Sequence, residues 1–482
     1  MARFKTDVGD HQRQKPNATR NFVANGLSGE ELADNEGYSL VYPVWNWADD
    51  GVLRCDTMNR HQKKILIIVL GLACGCLQSA TANGMRLVSQ DGFATSRGEA
   101  FVATADNASA VYYNPAGISQ LEGDQIRSGI YALYFDPTFT PPDTAPNAGK
   151  TYHIKTKTAA APQLFITHSI DDTPVTFGLG IYAPHGAGLE WPNDTGFRTV
   201  GTKSELTYLR VNPVVALKIL PGLSIAGGLM ADYSKIKLEQ GTRPLYLPPQ
   251  VNFFHFEGDG FSAGYNLGLL WQPHDMISFG ATFRSTTAFN MNGHTEFQQT
   301  PGVIQYERHE AEADFTFPMT AVFGLSFRPT PKWNIEVDAD YTDWSSFGTI
   351  TIKQQGTVPN GIKQNPPFTL AWKPSWIYEC GVTRYFDNGW RMSAGYLYNQ
   401  NSVPDANYTP LVADVDRHFA TIGVGRKGRK IDFDIAYQLG IGKAQTVVGS
   451  VPSSAAQIQG QNADGTYDFV SHAILLTVGL RF

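Results

Sequence analysis

The last nine residues set the tightest constraint on this chain. Ile474, Leu476, Val478, Leu480 and Phe482 are all apolar and recur at every second position. Leu475, Thr477, Gly479 and Arg481 lie between them. Side chains of a strand alternate between its two faces, so this segment is a strand with one fully apolar face. A strand between lipid and a polar lumen has this pattern. A soluble sandwich that ends on a strand would share it.

The alternation recurs upstream. Trp333, Ile335, Val337, Ala339 and Tyr341 interleave with Asn334, Glu336, Asp338 and Asp340. Ile431, Phe433, Ile435, Tyr437 and Leu439 interleave with Asp432, Asp434, Ala436 and Gln438. Phe261, Ala263, Tyr265, Leu267, Leu269 and Trp271 repeat the pattern. In a soluble barrel the apolar face would point inward. Here the second face carries carboxylates and glycines, and aromatics collect near the strand ends. That is the inverted pattern of a membrane barrel with interfacial girdles. About fourteen such segments can be placed by the alternation template, the first near 126–135 and the last near 468–482. Short connections such as Pro221-Gly222 and Asp387-Asn388 alternate with long ones such as 343–371. The expected fold is therefore all-β: a closed antiparallel transmembrane β-barrel of about fourteen strands over 126–482. Phe482, a terminal aromatic on an amphipathic strand, resembles the signal that outer-membrane assembly machinery reads.

The stretch upstream of the barrel divides into three. Met58-Asn59-Arg60 and Lys63-Lys64 form a positive region, Ile65 to Leu77 an apolar one, and Ala80-Thr81-Ala82 a small-residue cleavage pattern. Residues 58–82 thus read as a secretory signal, too short in its apolar run for the roughly 20 residues of a spanning helix. Cys74 and Cys76 leave a lipoprotein reading open, though Gly71-Leu72-Ala73 before them fit it poorly. Residues 1–57 carry no usable pattern and are expected to be an upstream extension outside the mature protein. Residues 83–125, rich in Ala, Ser, Gly and Asn, remain as a segment that can enter and plug the lumen. After cleavage only Cys380 is left, which excludes an internal disulfide and a cysteine metal site. The formal charge of −6 argues against a nucleic-acid partner. No Ser-His-Asp arrangement or His ligand spacing stands out, so no catalytic residue, metal or cofactor is assigned.

Within 83–125 stands Asp106-Asn107-Ala108-Ser109-Ala110-Val111-Tyr112-Tyr113-Asn114-Pro115-Ala116-Gly117. It resembles the N-terminal hatch of the FadL family, the outer-membrane transporters of long-chain fatty acids and aromatic hydrocarbons. Tyr208-Leu209-Arg210-Val211-Asn212-Pro213, Tyr341-Thr342-Asp343-Trp344 and Met392-Ser393-Ala394-Gly395-Tyr396 resemble later strands of the same family. The resemblance spans 83–482. It implies a hatch built on Asn114, Pro115, Ala116 and Gly117, and facilitated diffusion of hydrophobic compounds with sideways release through a wall gap at the third strand. That gap would fall at Pro184, Gly186 and Gly188. An entry groove would involve Leu245, Tyr246 and Leu247 with Phe253 and Phe254, apolar residues expected in a loop.

The family's fatty-acid members hold the carboxylate with an Arg at the end of strand five and a Lys before strand ten. Those positions align here with Gln240 and Phe368, while Arg243 and Lys363 lie nearby but out of register. Without those cations a neutral or aromatic ligand is favoured. The lumenal acids Glu336, Asp338, Asp340, Asp432 and Asp434 are expected to pair with Arg210, Arg284 and Arg391. Implied partners are hydrophobic small molecules, outer-membrane lipid and lipopolysaccharide, and the assembly machinery, with the barrel a monomer. The rival readings are a general porin, which would have no hatch, and an outer-membrane lipid-modifying enzyme, which would need a lipid-facing Ser/His pair.

Overall fold

A computed structural model of the chain describes residues 84–243, 252–299, 305–358, 362–451 and 461–482. It also describes the backbone of a small hairpin in which Trp45–Trp47 pairs with Leu53–Cys55. The hairpin belongs to a unit over Met1–Leu66, distinct from the unit Ile67–Phe482 that holds everything below. The expected signal, 58–82, lies outside the described residues.

The described residues of the second unit form a closed barrel of fourteen antiparallel strands. These are β1 (Asp124–Thr140), β2 (Thr158–Ser169), β3 (Val175–Tyr182), β4 (Lys203–Leu220), β5 (Leu223–Gly241) and β6 (Phe253–His274). Then follow β7 (Ile277–Arg284 and Thr287–Gln299), β8 (Gln305–Phe317 and Thr320–Thr330), β9 (Trp333–Thr342) and β10 (Ser375–Tyr385). The last four are β11 (Trp390–Asn399), β12 (Arg417–Lys427), β13 (Ile431–Val447) and β14 (Gly465–Arg481). Each strand pairs with the next, and β14 closes on β1 from Thr466 opposite Thr140 to Arg481 opposite Gln125. Closure removes the free edges of an open sheet, where a bare backbone group in lipid would be costly, except along the outer part of β2.

Sequence alternation locates these strands because each has one face in lipid. In β14, Ile474, Leu476, Val478 and Leu480 are exposed on the outside while Leu475 and Thr477 are buried toward the lumen. Phe261 and Leu229, 78% and 69% exposed, belong to the same outer band. Trp271, Trp333 and Trp390 lie exposed near the short turns, as an interfacial girdle requires. The turn after β4 needs Gly222: its φ is +79°, and a Cβ there would lie 2.3 Å from the Gln272 carbonyl oxygen. β7 and β8 run further outward than alternation suggested, because their ends beyond the lipid carry charge on the outer face. Lys235 on β5 pairs with Glu257 on β6 at 2.5 Å, and Arg308 on β8 with Glu296 on β7 at 3.6 Å. β8 breaks at Pro318, which has no N–H to give the ladder.

Phe482 is 74% exposed, and its backbone N–H donates to the Asp124 carbonyl at 3.0 Å, so it completes the seam between the last strand and the first. Replacing Phe482 with Asp should leave unfolded protein in the periplasm. Heat-modifiability on gels measures this, and normal levels of folded barrel would refute the assembly role.

Candidate functional site

The lumen is occupied by the protein's own residues 84–121, which are buried almost throughout. Their smallness allows it, and the wall makes room for them. The Asn114 amide donates to the carbonyl of Val102 at 2.8 Å and to that of Leu269 on β6 at 2.9 Å. Its oxygen accepts from Ala116 N–H at 3.2 Å and so caps a 3-10 helix, Pro115–Gln120, with Pro115 at its start. Facing this turn is Gly268. A Cβ there would sit 2.6 Å from the Asn114 side chain and 2.8 Å from Ala116 N. Gly117 passes so close to Ala105 that a Cβ would lie 2.4 Å from it. Phe93, Phe101, Tyr113, Tyr112 and Tyr182 form a chain of edge-on ring contacts, with centroids 4.8–5.5 Å apart, that joins the segment to β3.

Polar contacts fix the segment to the opposite wall. Glu336 on β9 accepts from the Ala103 N–H at 2.7 Å, from the Thr104 hydroxyl, and from Arg97 at 3.2 Å. Asp338 accepts from Phe101 and Val102 N–H, each at 2.9 Å. Asp340 pairs with Arg86 at 2.7 Å. Arg127 on β1 binds Asp91 of the segment and, at 2.6 Å, Asp434 on β13. The expected pairing of these acids is therefore right for Arg391, which binds Asp434 at 2.6 Å, and wrong for two others. Arg210 pairs with Asp232 at 2.7 Å, and Arg284 stacks on Tyr112 at 4.7 Å. The reason is that the segment brings its own cations. Arg86 and Arg97 stand out in a run of small residues, and that was the available signal.

β3 departs from the wall where Pro184 and Gly186 had been singled out. Its pairing with β2 ends at Leu164 opposite Ile181. Beyond Tyr182 the chain turns inward and pairs with the lumenal segment instead. Arg86 stands opposite His185, Leu87 N–H donates to the Pro184 carbonyl at 2.9 Å, and Gly186 N–H to the Met85 carbonyl at 2.8 Å. The His185 ring lies among Phe317, Tyr208 and Trp344, with centroids 4.8–6.2 Å away. Burial, then the charges of Arg210, Arg86 and Arg284, hold this imidazole well below its usual pKa, hence neutral. The chain rejoins the wall at Ala187–Glu190, which pairs with β4. Thr158 to Gln163 of β2 therefore have no strand partner on this side among the described residues. A crevice lined by Phe135, Thr158, Gly188 and Leu189 lies there.

Inside this opening is an apolar cavity of about 80 Å³, lined among others by Met85, Ala187, Ile236, Phe315, Phe368 and Trp372. Ala187, Ser204 and Glu205 line both the cavity and the crevice. The only charged residue among its described lining is Glu205, which pairs with Lys237 at 3.6 Å. Gln240 is buried on β5 and is not one of the residues lining this cavity. The carbonyl of exposed Arg243 accepts from Arg198 at 2.6 Å, and that of Lys363 from Gln354 at 2.9 Å; neither residue lines the cavity. Leu245, Tyr246 and Leu247 lie outside the described residues. Phe253 and Phe254 begin β6 rather than sitting in a loop, and Phe254 packs inward on Phe297 at 5.6 Å. Sequence reasoning missed Asp414, which accepts from Gly84 N–H at 3.1 Å and so holds the start of the described lumenal segment.

A closed lipid-facing barrel whose lumen holds a packed segment beside an apolar cavity defines an outer-membrane transport barrel. The chain belongs to the outer membrane protein transport family (OMPP1/FadL/TodX), whose model matches residues 74–482. It is 24% identical over 357 residues to a long-chain fatty acid transport protein of Escherichia coli, covering 67% of this chain and 78% of that one. A FadL homologue of Pseudomonas aeruginosa matches with a TM-score of 0.69 at 17% identity, over 83% of this chain and all of the other. The toluene transporter TbuX of Ralstonia pickettii matches with a TM-score of 0.59 at 16% identity, over 82% of this chain and all of the other. The protein is thus a multi-pass protein of the outer membrane.

Two properties of the docked segment can be measured. Glu336→Ala with Asp338→Ala strands Arg97 and the N–H groups of 101–104, at a cost of about 3–5 kcal/mol for the broken ion pair alone. Ion conductance in planar bilayers should rise from near zero to an open-barrel level; a closed double variant would refute the docking role. Glu99, held by Ser89 and Tyr113 at 2.8 and 2.7 Å, is pushed up to about 7 by burial. A raised carboxyl favours docking most fully below the undocked value of 4.5, and that contribution is lost as pH rises through about 7. Leak should grow across that window, and the growth should be smaller in Glu99→Gln.

Proposed function

We propose that this protein passes neutral hydrophobic compounds from outside the cell into the outer membrane, entering an apolar cavity and leaving sideways between β2 and β3. The observation that carries this reading is the diversion of β3. Among the described residues the wall lacks a strand pairing where the apolar cavity and the crevice share Ala187. Pro184, Gly186 and Gly188 are the residues of the gap, and Asn114, Pro115, Ala116 and Gly117 keep the hatch that closes the lumen below it. Met85 lines the cavity while its carbonyl accepts from Gly186. A ligand that displaces Met85 therefore loosens the inward turn of β3. The working unit is a monomer in lipid and lipopolysaccharide, inserted by the assembly machinery, and no step of the route is catalytic.

Neutral ligands are favoured by the lining. Burying apolar surface is worth roughly 25 cal/mol per Å² and needs no cation. A carboxylate in the same place would be an unpaired buried charge, which is expensive. The known transport of fatty acids by one relative and of toluene by a structural neighbour brackets the two options, and the lining leans to the second.

Uptake of toluene and of a neutral long-chain ester should exceed that of oleate, and Arg243→Ala and Lys363→Ala should change none of the three by more than about twofold. Gly188→Trp should lower all three at unchanged barrel levels by filling the crevice. A strong oleate preference that either alanine variant abolishes would show that a displaced cation serves a carboxylate. Full uptake in Gly188→Trp would overturn the sideways route.

A further inference from the structure

The opening between β2 and β3 is bounded at both ends. Its inner end is the last rung of the ladder, where Leu164 on β2 stands opposite Ile181 on β3. Its outer end is Lys155, whose backbone N–H donates to the Glu190 carbonyl at 2.8 Å. The side chains of these two residues also pair, Lys155 Nζ to the Glu190 carboxylate at 2.7 Å. The gap is therefore a window, closed on its outer side by one hydrogen bond and one ion pair. Each side of that frame is tied to a different neighbour. On one side Lys157 accepts from Phe135 N–H of β1 at 2.9 Å and its ammonium pairs with Asp136 at 2.7 Å. On the other, Glu190 ends the stretch that pairs with β4 and stands opposite Lys203. The Tyr152 hydroxyl donates to the Asp194 carbonyl at 2.9 Å and keeps the two sides joined when the frame parts.

The ion pair is arranged to part at little cost. The side chains of Lys155 and Glu190 are 47% and 32% exposed, so water takes over the ammonium. Lys203 lies 3.7 Å from the second carboxylate oxygen of Glu190, so the carboxylate keeps a cation beside it. Separation strands no charge, and exposed pairs are weak to begin with. The crevice below the frame, lined by Thr158, Gly188, Leu189 and Glu190, holds about 120 Å³. A benzene ring in a protein interior takes a cavity of roughly 150 Å³. A single ring thus needs little widening, and a fused-ring compound needs the frame to open. We propose that the Lys155–Glu190 pair sets the largest cross-section that leaves through the wall, and so selects among neutral hydrophobic compounds by girth. The inference rests on the sideways route and names what limits it.

Uptake of phenanthrene and of toluene by cells carrying the full barrel tests this, with barrel levels matched by heat-modifiability. Phenanthrene uptake relative to toluene should rise about two- to fivefold in Lys155→Ala and in Glu190→Ala, the range an exposed ion pair supplies. The double variant should match the singles, because the same pair is lost in each. Lys203→Ala should move the ratio the other way: with its second partner gone, Glu190 stays on Lys155. Lys155→Arg should keep the wild-type ratio, which a loss of bulk alone would not explain. An unchanged ratio in both alanine variants with toluene uptake intact, or a raised ratio in Lys203→Ala, would overturn the size role alone. Toluene uptake by the wild type no greater than by cells without the barrel would overturn the transport reading on which it rests.

Discussion

The structure depends on one constraint: with lipid outside, the wall must turn its polar face inward, and those buried groups need partners. Glu336, Asp338 and Asp340 are consecutive inward positions of a single strand and are all buried. Left in an empty pore they would be hydrated, and the pore would conduct. In this protein residues 84–121 answer them with Arg86, Arg97 and a row of backbone N–H groups. The acids are therefore the seat of the segment that fills the barrel. Breaking such a buried pair costs far more than forming it gains, so the seat acts as a register that holds one arrangement.

That register is coupled to the wall. Arg86 binds Asp340 on one side, and its backbone neighbours pair with the inward turn of β3 on the other. The same few residues thus hold the lumenal segment in place, line the apolar cavity through Met85, and keep β3 away from β2. Any ligand that competes for the position of Met85 acts on all three. Coupling of this kind needs no long pathway, because the elements are in direct contact.

The barrel was legible in the sequence because a period-two pattern facing lipid is strong and local. Ile474 to Phe482 and Trp333 to Tyr341 lie where alternation placed them, with apolar side chains outward. Strand ends were less legible. β7 and β8 continue past the lipid with charged outer faces, where apolar alternation stops but pairing does not. The position of Pro184 and Gly186 at the turn of β3 could be read from residue type, while its inward direction could not, since it follows from a bridge to residues a hundred positions away. The partners of the lumenal acids were misassigned for the same reason. Arg210 and Arg284 are strand residues like the acids, but Asp232 and Tyr112 reach them first.

The central claim is that residues 85–87 must part from the turn of β3 before a compound can leave through the wall. Arg86 and His185 face each other as a non-hydrogen-bonded antiparallel pair, whose Cα atoms typically lie about 4.5 Å apart, within the range a disulfide spans. Toluene uptake by an Arg86→Cys, His185→Cys variant, measured oxidised and reduced, is the most direct test. The account predicts that the oxidised barrel takes up almost none and that reduction restores uptake to the wild-type level or above. Equal uptake in the two redox states would contradict it.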